Sequence, residues 1–311
     1  MSYLYFKAVN WNETQDTLDQ YTWEKLTNNF WLDTRIPIEE DLPFWKTLTS
    51  EQRTTISHLL ATVGLNASLQ AETGAASLRS SIQTQQEEAV LNITTFMESV
   101  HTKALTTIFR QLNTKTETQS YYDFANQQTA QIEQLERCQE IMQNGSDLQK
   151  KAAFLLVETV LLYGKLTPVL LNEPLVQTRQ MLTNLLKGSS IFNSYLGYKF
   201  QQAFTQLALD EQQLFKTWLD DLIAELFASE VAWLTKQLTP EQQNISEQLV
   251  AYAANYTLTT FGFAANHTVQ LPNQLTSYLE TTLMTVKELQ KQETTIYTSQ
   301  LETMATDDYD F

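Results

Sequence analysis

The sequence predicts a single all-α domain, and two observations carry that prediction. Apolar residues recur at helical spacing along most of the chain, and glycine and proline are scarce, at 7 and 6 in 311 residues. Phe96, Val100, Ala104 and Ile108 repeat every fourth position between Glu87 and Leu112, and Leu155, Thr159, Leu162 and Leu166 do so between Leu148 and Leu171. Similar patterns cover Ser50–Thr73, Thr118–Gln143, Leu175–Thr205, Asp210–Gln237, Pro240–Ala265 and Leu271–Thr295, giving about eight long helices. Punctuation falls between them. Asn144-Gly145-Ser146 reads as a turn, Pro174, Pro240 and Pro272 stand where helices begin, and Thr239 is an N-cap for a helix with Pro240 in its first turn. An extended N-terminal arm precedes the helices and a frayed acidic tail follows them.

Composition narrows the function class. A formal charge of −16 with no basic stripe argues against a nucleic-acid backbone as partner. The single Cys138 leaves no internal disulfide or cysteine metal cage and fits a reducing, cytoplasmic setting. No run of about 18 apolar residues stands out, so no membrane span is expected.

Three features carry chemistry. Glu98 and His101 are three residues apart on one face of an apolar helix. That is the half-site from which four-helix carboxylate metal centres are built, and also a common surface pair. Glu158 sits in the apolar run Ala152–Leu162, where a carboxylate is either a ligand or hydrogen-bonded to a neighbouring helix. The chain ends Asp307-Asp308-Tyr309-Asp310-Phe311, an acidic, aromatic tail that is either solvated or a docking peptide.

Several segments match, in order and spacing, those of class Ib ribonucleotide reductase small (beta) subunits. They are Asn29-Phe30-Trp31-Leu32-Asp33-Thr34-Arg35-Ile36-Pro37, Leu69-Gln70-Ala71-Glu72-Thr73-Gly74, Glu87-Glu88-Ala89-Val90-Leu91-Asn92, Phe96-Met97-Glu98-Ser99-Val100-His101 and Leu196-Gly197-Tyr198-Lys199-Phe200-Gln201. The resemblance runs over nearly the whole chain and weakens after about Asn266. It implies a ferritin-like helical bundle over 1–296, with 297–311 as a flexible tail that docks on the large subunit.

The resemblance also implies a site of six metal ligands, a radical tyrosine and a relay aspartate. Glu98, His101 and Glu158 keep their ligand positions, whereas ligands are replaced at Ala67, Ser189 and Phe192. The radical tyrosine falls on Leu105 and the relay aspartate on Gly188. Trp31 and Tyr297 match residues of the radical path, and Asp308, Tyr309, Asp310 and Phe311 match the docking tail. Lys165, two turns beyond Glu158, is a candidate to offset its charge in place of a metal, or else to reach the surface.

With half the ligands replaced, the expectation is no cofactor, or at most a weak or mononuclear iron or manganese. The function implied is an auxiliary, radical-incompetent subunit. It would act with the large (alpha) subunit, and as a heterodimer with an active small subunit or otherwise a homodimer. Two alternatives stand beside it. One is an active subunit with its radical elsewhere, on Tyr163 or Tyr195; the other is a mononuclear metal or ligand-binding protein of the same fold.

Overall fold

Burial of one apolar stripe per helix organises the molecule, which we describe from a computed structural model over residues 8–291. Ten helices of ten or more residues lie within that range, and it contains no strand. They are α1 (Thr17–Asn28), α2 (Ser50–Leu69), α3 (Gln85–Leu112), α4 (Lys115–Ala125), α5 (Thr129–Asn144), α6 (Asp147–Glu158), α7 (Val176–Phe204), α8 (Leu209–Gln237), α9 (Pro240–Thr260) and α10 (Asn273–Thr282). The all-α, ferritin-like expectation holds.

Helix starts follow local chemistry. Thr49, Thr114 and Ser146 cap α2, α4 and α6 through capping boxes with Gln52, Glu117 and Gln149, each satisfying an amide that the first turn leaves unpaired. Thr239 precedes Pro240 at the start of α9 as expected.

Four departures from the sequence reading have physical causes. The N-terminal arm is not simply extended: Asp16 accepts the Leu18 amide and starts α1, which buries Leu18 and Leu26 against α3 and α7. The expected helix over Thr118–Gln143 breaks at Asn126-Gln127-Gln128, where exposed polar residues offer nothing to bury and Gln128 instead accepts the indole N–H of Trp233 at 3.1 Å. The expected helix over Leu148–Leu171 unwinds directly after Glu158, so that the Leu161 carbonyl leaves the helical ladder and accepts Asn66 Nδ2 at 2.8 Å. Phe96 is half exposed, stacked on Phe30 at 5.8 Å, while Val100, Ala104 and Ile108 enter the core.

Within the segment Asp147–Leu171 an 18-residue window is apolar enough to cross a membrane, with mean hydropathy 1.7, but 94% of that window is buried inside the bundle. It is a core element here. Helices α2, α3, α6 and α7 surround one interior region: α2 packs on α3, α3 on α7 and α7 on α6, and hydrogen bonds from Asn66 and Gln70 close α2 onto α6.

Candidate metal and radical-transfer site

Three buried ionisable side chains, Glu98, His101 and Glu158, lie in this interior region. Glu98 and His101 project from the same face of α3, and the ring Nδ1 lies 3.2 Å from Glu98 Oε2. Glu158, the last residue of α6, accepts Gln70 Nε2 at 3.0 Å, and the same amide donates to the Phe154 carbonyl at 3.1 Å. Gln70 opens a π-helical turn over Gln70–Gly74, a local widening of the helix common at functional sites. Gly74 is required there, because a Cβ would run into Gln70 Oε1 and the Phe154 ring.

Their protonation is coupled. Burial, and then the charge of Glu98, push the Glu158 carboxyl up to about 7, against the opposing pull of His101. Burial opposes a charged His101 ring, but Glu98, and to a lesser degree Glu158, outweigh it and hold the imidazole above its ordinary range. Several buried polar atoms around them lack partners: His101 Nε2, Gln70 Oε1, Asn66 Oδ1 and Ser189 Oγ. Ser189 is close enough to favour the charged form of Glu158 without completing a hydrogen bond to it. Unsatisfied buried polar atoms are costly, and so many together mark a place that takes up something polar.

The remaining sequence-derived positions are distributed as follows. Ala67, Ser189 and Phe192 are buried on α2 and α7, and Phe192 sets its ring edge-to-face on Phe154 at 5.4 Å. Leu105 is 2% exposed on α3, within the apolar core. Gly188 faces space, since a Cβ there meets nothing within 4 Å. Trp31 stacks parallel to His101 at 5.9 Å. Its loop is tied to α3 by Asp33, which accepts Lys103 Nζ at 2.8 Å and Thr107 Oγ1 at 2.6 Å.

Lys165 does not answer Glu158. Its ammonium pairs with Glu230 at 2.8 Å, both side chains fully buried, because the unwound turn after Glu158 directs it toward α8. His58 and His267 lie against Phe124 and Phe227 as ring contacts. Tyr195 donates its hydroxyl to Asp19 Oδ1 at 2.8 Å, and burial holds the phenols of Tyr195 and Tyr163 well above their ordinary range. Tyr297 and Asp308–Phe311 lie outside the described residues. The sequence reading assigned no role to Gln70, Asn66 or Asn193, although polar amides at helix positions flanked by apolar residues were a visible signal.

The model of the ribonucleotide reductase small chain family matches residues 8–274. This chain belongs to that family. Among its relatives, the ribonucleoside-diphosphate reductase 2 subunit beta of Escherichia coli (strain K12) is 29% identical over 262 residues, covering 82% of each chain. The ribonucleoside-diphosphate reductase subunit beta of Mycobacterium leprae (strain TN) is 30% identical, covering 83% of this chain and 81% of its own. The crystal structure of dimanganese(II)-NrdF from Streptococcus sanguinis superposes with a TM-score of 0.82 at 36% identity, covering 85% of this chain and 94% of its own.

The last of these corrects the cofactor expectation. A small-chain relative 36% identical to this chain was solved with a dimanganese(II) centre in the same bundle, against the expectation of no cofactor or at most one weakly held ion. The residues here fit a metal in donor type: two carboxylates and an imidazole are hard or borderline ligands suited to iron or manganese, and His101 Nε2 is buried without a partner. Their arrangement is not closed. Among the described residues no three histidine, cysteine, aspartate or glutamate side chains are gathered around one point, because His101 turns toward Glu98 and Glu158 toward Gln70.

Proposed function

We propose that this chain is a divergent, class Ib-type small subunit-like protein that works with the large (alpha) subunit in cytoplasmic deoxyribonucleotide synthesis, in an auxiliary role. It pairs with a copy of itself or with an active small subunit. The observation that carries this reading is Leu105, a buried alkyl side chain at the position the resemblance assigns to the radical tyrosine. An alkyl group has no phenolic O–H to give up an electron and a proton, so no radical forms at that position. Gly188 removes the relay carboxylate in the same way, whereas Trp31, stacked on His101, is retained.

Metal is held, in this reading, by Glu98, His101 and Glu158, after His101 and Glu158 turn from their present partners. A metal bound there supplies one-electron chemistry. The chain's own contribution is a carboxyl at Glu158 that keeps its proton below about pH 7 and must release it on binding, and a ring at His101 whose Nε2 is open.

Electron paramagnetic resonance after treatment with manganese(II) or iron(II) and an oxidant tests the reading. It expects no tyrosyl signal. A second reading, an active subunit with a displaced radical, draws on Tyr195, whose phenol is buried and donates to the Asp19 carboxylate. A tyrosyl signal that disappears in Tyr195→Phe would replace the first reading with the second.

A further inference from the structure

Beside the carboxylate centre, with Phe192 in its wall, a half-open pocket of about 350 Å³ lies between the start of α3, the start of α6 and the C-terminal part of α7. Its apolar surface comes from Leu78, Leu91, Phe192 and Leu196, and two lysines, Lys151 and Lys199, line it. These cations are provided for very differently. Lys199 is held by three carboxylates, Asp16, Asp19 and Glu87, at 2.7–2.8 Å. Lys151, only 6% exposed, donates to the neutral Ser81 Oγ at 2.9 Å and has no carboxylate within 4 Å among the described residues.

The acids nearest Lys151 are already engaged. Glu87 is on Lys199, and Asp147 accepts the Ser80 hydroxyl at 3.1 Å. The Ser81 hydroxyl itself donates to the Leu78 carbonyl at 2.9 Å, so it meets Lys151 only as an acceptor. A buried ammonium with one neutral partner is an expensive arrangement unless something else supplies negative charge. Burial accordingly pulls Lys151 below the ordinary lysine range, with Asp147 and Glu87 opposing. Small-molecule sites combine an apolar wall with a few polar groups in cavities of about 300–1,000 Å³, and this pocket falls at the small end.

We propose that the pocket binds a small organic monoanion, with its carboxylate on Lys151 and an apolar body against Leu78, Leu91, Phe192 and Leu196. A second carboxylate on such a ligand would meet Glu87 and Asp147, so diacids are disfavoured. The proposal is independent of the metal, the large subunit and the reductase reading.

The probe is 3-phenylpropionate, titrated calorimetrically into the full chain beside 3-phenylpropan-1-ol, which has the same body and no charge. The acid should bind saturably, and roughly tenfold or more tighter than the alcohol. Lys151→Met should bring the acid down to the alcohol's affinity and leave alcohol binding unchanged, which also reports that the pocket is intact. Lys151→Arg should keep the preference for the acid. Equal affinity of acid and alcohol, a preference that survives in Lys151→Met, or no saturable binding of the acid at millimolar concentration would each overturn the proposal.

Discussion

Two of the buried groups of charge in the bundle are satisfied to very different degrees. Around Lys165, a lysine and Glu230 pair at 2.8 Å, Gln131 Nε2 donates to the second carboxylate oxygen at 2.9 Å, and the ammonium lies 5.7 Å from the centre of the Trp233 ring. Around Glu158, the one imidazole is taken by Glu98 at 3.2 Å, and His101 Nε2, Gln70 Oε1 and Ser189 Oγ lack partners. Each cluster is shielded from water. The first is balanced one charge against one and joins the turn after α6 to α8 and α5. The second has more carboxyl groups than cations, so one of them, Glu158, keeps its proton, and it leaves orphaned donors and acceptors. A closed buried pair acts as structure, while an open one stores a binding capacity at the expense of stability.

Breaking the closed cluster should have the larger effect. Glu230→Ala leaves Lys165 buried without a counter-ion and should destabilise the fold by about 3–5 kcal/mol, measured by denaturant unfolding. Lys165→Met with Glu230→Leu, which removes both charges, should recover most of that loss.

The open cluster should instead gain from what it takes up. Manganese(II) at about a hundredfold excess over its Kd should stabilise the chain by about 2.7 kcal/mol in thermal unfolding. Glu158→Ala and His101→Ala should abolish the shift, and binding below pH 7 should release protons.

The smallest effect distinguishes the two clusters by pH. Folded Glu158 keeps its proton up to about pH 7, whereas the unfolded carboxyl releases it near 4.5. The folded state therefore binds more protons in that window, and metal-free stability falls as pH rises through it. His101, held above its ordinary range, contributes stability that is complete below 6.5 and is lost as pH rises through its folded value, so it adds to the same slope. Glu158→Gln should flatten the profile between pH 4.5 and 7 and be more stable than the parent at pH 8. A parent that gains stability from pH 5 to pH 8 without metal would contradict this picture.

Sequence pattern captured the fold because helical periodicity is a local signal that few glycines or prolines interrupt. Glu98 and His101 were legible for the same reason, since one helix fixes their spacing. Glu158 stood out as a carboxylate in an apolar run. Partnerships between elements were not legible. The pairing of Lys165 with Glu230 depends on the chain unwinding after Glu158, which no motif announces. The Gln70 contact to Glu158 depends on a π turn whose extra residue shifts the helical register. Phe96 followed the apolar repeat yet lies on the surface, because periodicity gives a stripe and not where the stripe ends. The dimanganese(II) neighbour, finally, overturned the cofactor expectation that came from counting ligands.

Deoxyribonucleotide formation by this chain mixed with its large subunit and manganese(II) or iron(II), with and without an active small subunit, tests the central claim most directly. The account predicts no turnover from the pair alone and turnover only when the active small subunit is present. Sustained turnover by the pair alone would contradict it and place the radical on a residue other than the one Leu105 replaces.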